Sequence, residues 1–199
     1  MIKNDKGLLL VISGPSGTGK GTLCKRLLEK NKDIFLSVSA TTRKPREGEI
    51  DGVSYHFLSE DKFRQLIADN QLIEWAAFCD NYYGTPKAPV DENINNGKDV
   101  LLEIEIEGAM KVRAKHPEGV YIFLFPPSIQ VLEERLKGRG TETDDVIARR
   151  LARAKQELEM CTKYNYYVVN DDLEKAVEEI EAIIIAEKAR KERNQVNFN

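Results

Sequence analysis

Short apolar runs alternate along the chain with stretches in which apolar residues return at helical spacing. Leu8–Ser13 is an apolar run that ends at Gly14, which predicts a buried strand. Thr22–Lys30 carries Leu23, Leu27 and Leu28 with Lys25, Arg26 and Lys30 between them, the pattern of an amphipathic helix. Asp99–Glu105 and Val120–Phe125 read as strands, the second stopped by Pro126 and Pro127. Ser128 suits the N-cap of a helix over Val131–Lys137. From Asp144 to Cys161 a long helix places Val146, Ile147, Leu151, Ala154, Leu158 and Cys161 on one side. Tyr166–Val169 reads as a last strand and Leu173–Arg193 as a last helix. Apolar strands alternating with helices predict an α/β fold: a three-layer core whose parallel sheet is covered on both faces.

Residues 37–90 break this rhythm. Three short strand-like pieces (Ser37–Thr41, Ser54–Phe57, Ile73–Phe78), a helix after Ser59 and Gly48, Gly52 and Gly84 predict a small α+β insertion. Residues 138–145 are polar and suit a lid between two helices. At 199 residues the chain is long enough for one core that needs no metal or disulfide staple. A net charge of −3 argues against a nucleic-acid coat or a polybasic membrane binder. Apolar runs such as Leu8–Ile12 and Ala182–Ala186 fall far below the about 20 residues of a membrane span. Cys24, Cys79 and Cys161 are odd in number and far apart, which predicts free thiols in a reducing cytoplasm. His56 and His116 form no grouping with them that suggests zinc.

Gly14-Pro15-Ser16-Gly17-Thr18-Gly19-Lys20 fits G-x-x-x-x-G-K between a predicted strand and a predicted helix, the context that gives this motif its meaning. Its glycines let successive N–H groups turn toward a phosphate, and the helix after it adds the positive end of its dipole. Lys20 supplies a point charge for β- and γ-phosphates. The hydroxyl residue that usually follows the lysine is Gly21 here, with Thr22 one position later. Either Thr22 or water therefore completes a magnesium shell. Magnesium is expected because adjacent phosphates need their charge neutralised during transfer.

Arg43, Lys44 and Arg46 lie within four residues, followed by phenol hydroxyls. By residue type alone they suit a solvated turn and a phosphate-monoester clamp equally.

Several segments in order then resemble the guanylate kinases: Ser39-Ala40-Thr41-Thr42-Arg43-Lys44-Pro45-Arg46-Glu47-Gly48-Glu49, Glu74-Trp75-Ala76, Asn81-Tyr82-Tyr83-Gly84, Gly138-Arg139-Gly140-Thr141-Glu142-Thr143-Asp144 and Val169-Asn170-Asp171-Asp172. The resemblance runs from about Leu8 to Lys188. It implies a single P-loop domain with a core (residues 1–36, 91–127 and 160–199), an inserted nucleoside-monophosphate-binding subdomain (37–90) and a helical lid (128–159). The implied reaction is transfer of the γ-phosphoryl of ATP to GMP, giving ADP and GDP. Arg43, Arg46, Tyr55 and Tyr83 would then hold the GMP phosphate, with Glu49 orienting the arginines. Ser39 and Thr85 would face the O6/N7 edge of guanine, and Glu74 would accept from N1–H and the N2 amine. That role suits a carboxylate, because adenine offers an acceptor at N1 and no N2 amine.

Glu103 and Glu105, two apart, are expected on one side of a strand running to Ile106, in reach of nucleotide or hydrated magnesium. Arg135, Arg139 and Arg150 would reach the ATP phosphates as the lid closes, whereas Arg149 and Arg153 read as helix-surface charge. Asn170 would lie near the adenine, or else cap the following helix. The substrates ATP and GMP exhaust the expected partners. A non-catalytic protein-binding module of similar fold is disfavoured by the intact phosphate loop and by Arg43 and Arg46.

Overall fold

The computed structural model describes residues 2–3, 6–78, 80–138 and 144–196. Strands β1 (Ile2–Lys3) and β2 (Leu9–Ser13), helix α1 (Lys20–Lys30) and β3 (Phe35–Leu36) open the chain. Then come β4 (Ala40–Thr41), β5 (His56–Phe57), α2 (Glu60–Ala68), β6 (Leu72–Phe78) and β7 (Asn81–Pro86). The rest is α3 (Lys87–Asn95), β8 (Val100–Glu103), α4 (Ile106–Lys115), β9 (Val120–Phe125), α5 (Ile129–Lys137), α6 (Asp144–Glu159), β10 (Tyr166–Val169), α7 (Leu173–Ala189) and β11 (Gln195–Val196). Cys79, Arg139, Gly140, Thr141, Glu142 and Thr143, among them one expected catalytic arginine and most of the polar lid segment, lie outside the described residues.

The main sheet has the order β10-β9-β2-β8-β3 and is parallel throughout. Alternate residues of each strand face opposite layers. Leu10 and Ile12 pack with Leu23 and Leu27 of α1 and Val177 and Ile180 of α7. Leu9 and Val11 pack with Val90 of α3 and Ala109 and Val112 of α4. Both faces are covered, so β2 is buried along its whole length and reads as an unbroken apolar run. Each such leucine or isoleucine contributes about 1.5–3 kcal/mol. Ser128 caps α5 as expected, its Oγ accepting from Val131 N at 3.1 Å.

The insertion forms its own sheet, ordered β5-β4-β7-β6, with Phe63 of α2 packed on Ala40 and Leu72. Its strands differ from those expected. Ser37 N donates to Leu101 O, so Ser37 still belongs to the ladder of the main sheet, and only Ala40–Thr41 joins the second one. Ser54 lies in a turn, its Oγ accepting from Ile50 N, and the strand is confined to His56–Phe57. Asn81–Pro86, read only as a motif, is a central strand between β4 and β6.

The shared side expected for Glu103 and Glu105 is not what forms. Strand β8 ends at Glu103, and Glu105 is the N-cap of α4, its carbonyl accepting from Ala109 N at 2.9 Å. Helices α3 and α4 lacked a clear sequence signal because Pro89 and Gly108 interrupt them; a proline in the first turn costs no helical bond. Helix α6 ends at Glu159 and α7 at Ala189, each followed by a short 3-10 turn, both shorter than expected.

Candidate active site

The loop from Gly14 to Gly19 leaves the carboxyl end of β2 and delivers the chain into α1. Gly17 and Gly19 have φ of 96° and 89°, a region that side chains disfavour. Thr18 is spent on the loop itself: its hydroxyl donates to Pro15 O at 2.9 Å. Gly19 is the N-cap of α1 with no side-chain cap and no acid in the first turn, so the leading N–H groups of the helix are open to an anion. The Lys20 ammonium folds back on the loop, Nζ lying 2.5 Å from Gly14 O and 3.3 Å from Pro15 O.

A Cβ at Gly21 would stand 3.5 Å from Glu103 Oε1, so the bare position leaves room between the first turn of α1 and this carboxylate. Burial pushes the Glu103 carboxyl up, with Lys20 opposing and Glu105 adding. Thr22 lies about 100° further round the helix than Gly21 and, like it, is exposed. Among the described residues no group of three His, Cys, Asp or Glu side chains is placed to hold a metal. The oxygen donors present fit a magnesium ion that takes most of its shell from phosphates and water.

Three groups far along the chain converge on the loop. Arg135 donates to Thr18 O at 3.3 Å and to Asn170 O at 2.9 Å. Asn170, buried, donates its amide to Thr18 O at 2.7 Å. It does not cap α7; Asp172 does, accepting from Lys175 N. Arg150 donates to Ser16 Oγ at 2.6 Å. Arg149 and Arg153 are exposed, and Arg153 pairs with Glu157.

In the insertion, Arg43 forms a bidentate pair with Glu49, at 3.0 and 2.8 Å, and Glu49 also accepts from Arg46 N at 2.7 Å. The Arg43 hydrogen bond, then that from Arg46 N, holds the Glu49 carboxyl below the usual range. The Arg43 guanidinium lies over the Tyr55 ring at 5.4 Å, and Tyr55 meets Tyr83 edge to face at 6.1 Å. Burial raises the Tyr55 phenol, with Tyr83 and Glu103 adding to it. The Arg46 side chain is exposed. Thr41 and Thr42, given no role from sequence, fix β4 to β7: Thr41 Oγ1 donates to Tyr82 O and Thr42 Oγ1 accepts from Tyr82 N, each at 2.9 Å.

Glu74, on β6, is only 6% exposed, and its Oε1 accepts from Thr85 Oγ1 at 2.8 Å. Burial raises its carboxyl, opposed by the Thr85 hydroxyl, Lys111 and Lys115. Ser39 immediately precedes β4, its carbonyl accepting from His56 N. Glu105 is exposed at the start of α4, and Glu107 pairs with Lys111 on the surface. Helix α4 was missed from sequence, and with it the contacts of Gly108, Lys111 and Lys115. Their i, i+3, i+7 spacing is the signal that would have placed them on one face.

A glycine-rich loop running from the carboxyl end of a central parallel strand into an uncapped helix, with a small α+β sheet inserted beside it, sets this chain among the P-loop kinases of small molecules. A profile of the guanylate kinase family matches residues 6–187. The guanylate kinase of Caldanaerobacter subterraneus subsp. tengcongensis is 56% identical over 190 residues, 96% of this chain and 92% of that one. That of Shouchella clausii is 55% identical over 192 residues, 96% and 94% of the two chains. The crystal structure of guanylate kinase from Anaplasma phagocytophilum superposes with a TM-score of 0.81 at 34% identity, covering 98% of this chain and 92% of that one. The chain belongs to the guanylate kinase family.

Proposed function

We propose that this chain transfers the γ-phosphoryl of ATP to GMP by the following division of labour. Gly14 through Lys20 and the first turn of α1 hold the ATP phosphates, and Arg135 and Asn170 keep the loop in shape beside them. Arg43, Arg46, Tyr55 and Tyr83 hold the GMP phosphate, with Glu49 fixing the guanidinium of Arg43. Glu74 reads N1–H and N2 of guanine, while Thr85 and Ser39 complete the base edge. A phosphate oxygen of GMP attacks the γ-phosphorus in line as the bond to the β-phosphate oxygen of ATP breaks, leaving ADP. The attacking oxygen is already anionic, so positioning and charge neutralisation suffice without a general base. Lys20, Arg150 and Arg139, the last outside the described residues, neutralise charge that develops on the migrating group. Magnesium, when bound, would neutralise the β- and γ-phosphates, and Glu103 would help hold it through water. Among the described residues no helix is long and apolar enough to cross a membrane, and Cys24 and Cys161 are free, which fits work in a reducing cytoplasm.

The observation that carries this reading is Glu74: a buried carboxylate with one oxygen held by Thr85, on the sheet that also presents Arg43. An ADP-release assay coupled to a reporter, run with GMP, AMP, UMP and CMP, tests it. Turnover should be strong with GMP and weak with the others. Comparable turnover with AMP would overturn the assignment of the base reader.

A further inference from the structure

Helix α4 belongs to the core, yet one of its faces is turned to the edge strand of the insertion. Among the described residues strand β6 is paired on one side only, with β7. On its open side the carbonyls of Ile73 and Trp75, which flank Glu74 in sequence, accept from lysines of α4. Lys115 Nζ lies 2.6 Å from Ile73 O, and Lys111 Nζ lies 2.8 Å from Trp75 O. Lys111 also stands over the Trp75 ring at 5.7 Å and pairs with Glu107 at 2.8 Å. One turn before Lys111, Gly108 lies directly against the base reader: a Cβ built there would be 2.9 Å from Glu74 Oε2 and 3.3 Å from its carboxyl carbon. Thr85 therefore holds one carboxylate oxygen, and the bare backbone of Gly108 leaves space for the other.

We infer that Gly108, Lys111 and Lys115 are positioning residues for base selection: α4 fixes strand β6 and the orientation of the Glu74 carboxylate, and so sets the preference for guanine. This rests on the reading of Glu74 given above. The groups facing the carboxylate are the Thr85 hydroxyl from β7 and the two lysines from α4, and both lysines oppose the rise that burial imposes on its pKa. An ionised Glu74 accepts from both N1–H and N2–H of guanine; once protonated it turns a donor toward one of them. Discrimination thus depends on the charge and on the angle of this one group, and α4 governs both. Because α4 is a core element, the lysine bonds also tie the base-reading strand to the half of the molecule that holds ATP.

Gly108→Ala is a selective probe. The position is helical, alanine favours a helix over glycine, and the atom displaced is the end of a flexible side chain. The variant should keep its thermal midpoint and its KM for ATP while kcat/KM for GMP falls by about ten-fold or more. Its GMP-to-AMP ratio should fall with it. Lys115→Met should move the acidic limb of the pH profile of kcat/KM for GMP to higher pH, since the folded carboxyl then titrates higher, and Lys115→Arg should restore it. Glu74→Gln, measured alongside, separates this inference from the reading beneath it. If Glu74→Gln collapses the GMP-to-AMP ratio while Gly108→Ala and Lys115→Met leave the ratio and the acidic limb in place, α4 has no part in base selection. If Glu74→Gln also leaves the ratio unchanged, the reading of Glu74 itself fails. Should Lys115→Met not fold, Gly108→Ala and the pH profile of Lys111→Gln decide the matter in the same way.

Discussion

Lys20 spends its ammonium on the carbonyls of Gly14 and Pro15, a contact that any stronger anion in the loop displaces. Lys20→Ala should therefore lower kcat by at least about 10²-fold, with the circular-dichroism melting curve little changed. A folded variant of near-normal activity would rule out its role in transfer. Asn170 carries a duty that was not read in the sequence. It does not cap α7; its amide holds Thr18 O, and a Cβ at Gly19 would come within 2.5 Å of it. Asn170→Ala leaves the Thr18 carbonyl with only the longer bond from Arg135, at 3.3 Å, a loss of about 0.5–1.5 kcal/mol. A lower thermal midpoint together with a raised KM for ATP and an unchanged KM for GMP is the expected result. Lys20 was legible because its partners are five and six residues away. Asn170 was not, because its partner is 152 residues away.

At the scale of elements, the end of α7 is held by one buried acid. Glu187 accepts from Tyr166 Oη at 2.6 Å, Arg190 at 3.1 Å and Arg193 at 2.8 and 3.0 Å. Burial raises its carboxyl, but the bonds from Tyr166, Arg193 and Arg190 outweigh this and hold it below the usual range. The folded pKa is thus depressed, so the stabilisation is fully present above the unfolded value of about 4.5 and is lost as pH falls through the folded one. Arg190 is half exposed, so water takes up part of what the pair contributes. Glu187→Gln should cost about 1–2 kcal/mol at pH 7, and its deficit against the parent should shrink in urea melts run near pH 3. A deficit that does not depend on pH would assign the effect to packing. The sequence pattern runs the helix on to Arg193, whereas α7 ends at Ala189. Only the bend after Ala189 turns Arg190 and Arg193 back onto Glu187.

Over the whole molecule, the region expected as a lid divides in two. Helix α5 seats on the phosphate loop, where a Cβ at Gly17 would meet Leu132 and Leu136 at 2.9 and 3.1 Å, and Arg135 bonds the loop directly. Helix α6 packs on α5 through Ile147, Leu151 and Ala154 and brings Arg150 to Ser16. Bound phosphates offer Arg150 a stronger partner than the Ser16 hydroxyl. Arg150→Ala should then lower kcat by about 10³-fold or more, the scale at which such arginines act. GMP binding, measured alone by calorimetry, should stay within a few-fold of the parent. Loss of GMP affinity with kcat retained would move Arg150 to the acceptor side.

What the sequence determined by itself was local or periodic. The phosphate loop is contiguous, so its glycines, lysine and flanking strand and helix suffice to announce it. The buried strands stand out because both faces of a parallel sheet exclude water, and the caps at Ser59 and Ser128 act within three residues. The tertiary structure decided the rest. Glu103 and Glu105 part company where β8 ends, because the chain must leave the sheet and start α4. Arg135, Arg150 and Asn170 meet the loop across separations of 117, 134 and 152 residues. The face of α4 meets β6 and Glu74 only when two sheets of different origin are packed together, since an i, i+3, i+7 pattern states what a helix face carries and not what it will meet.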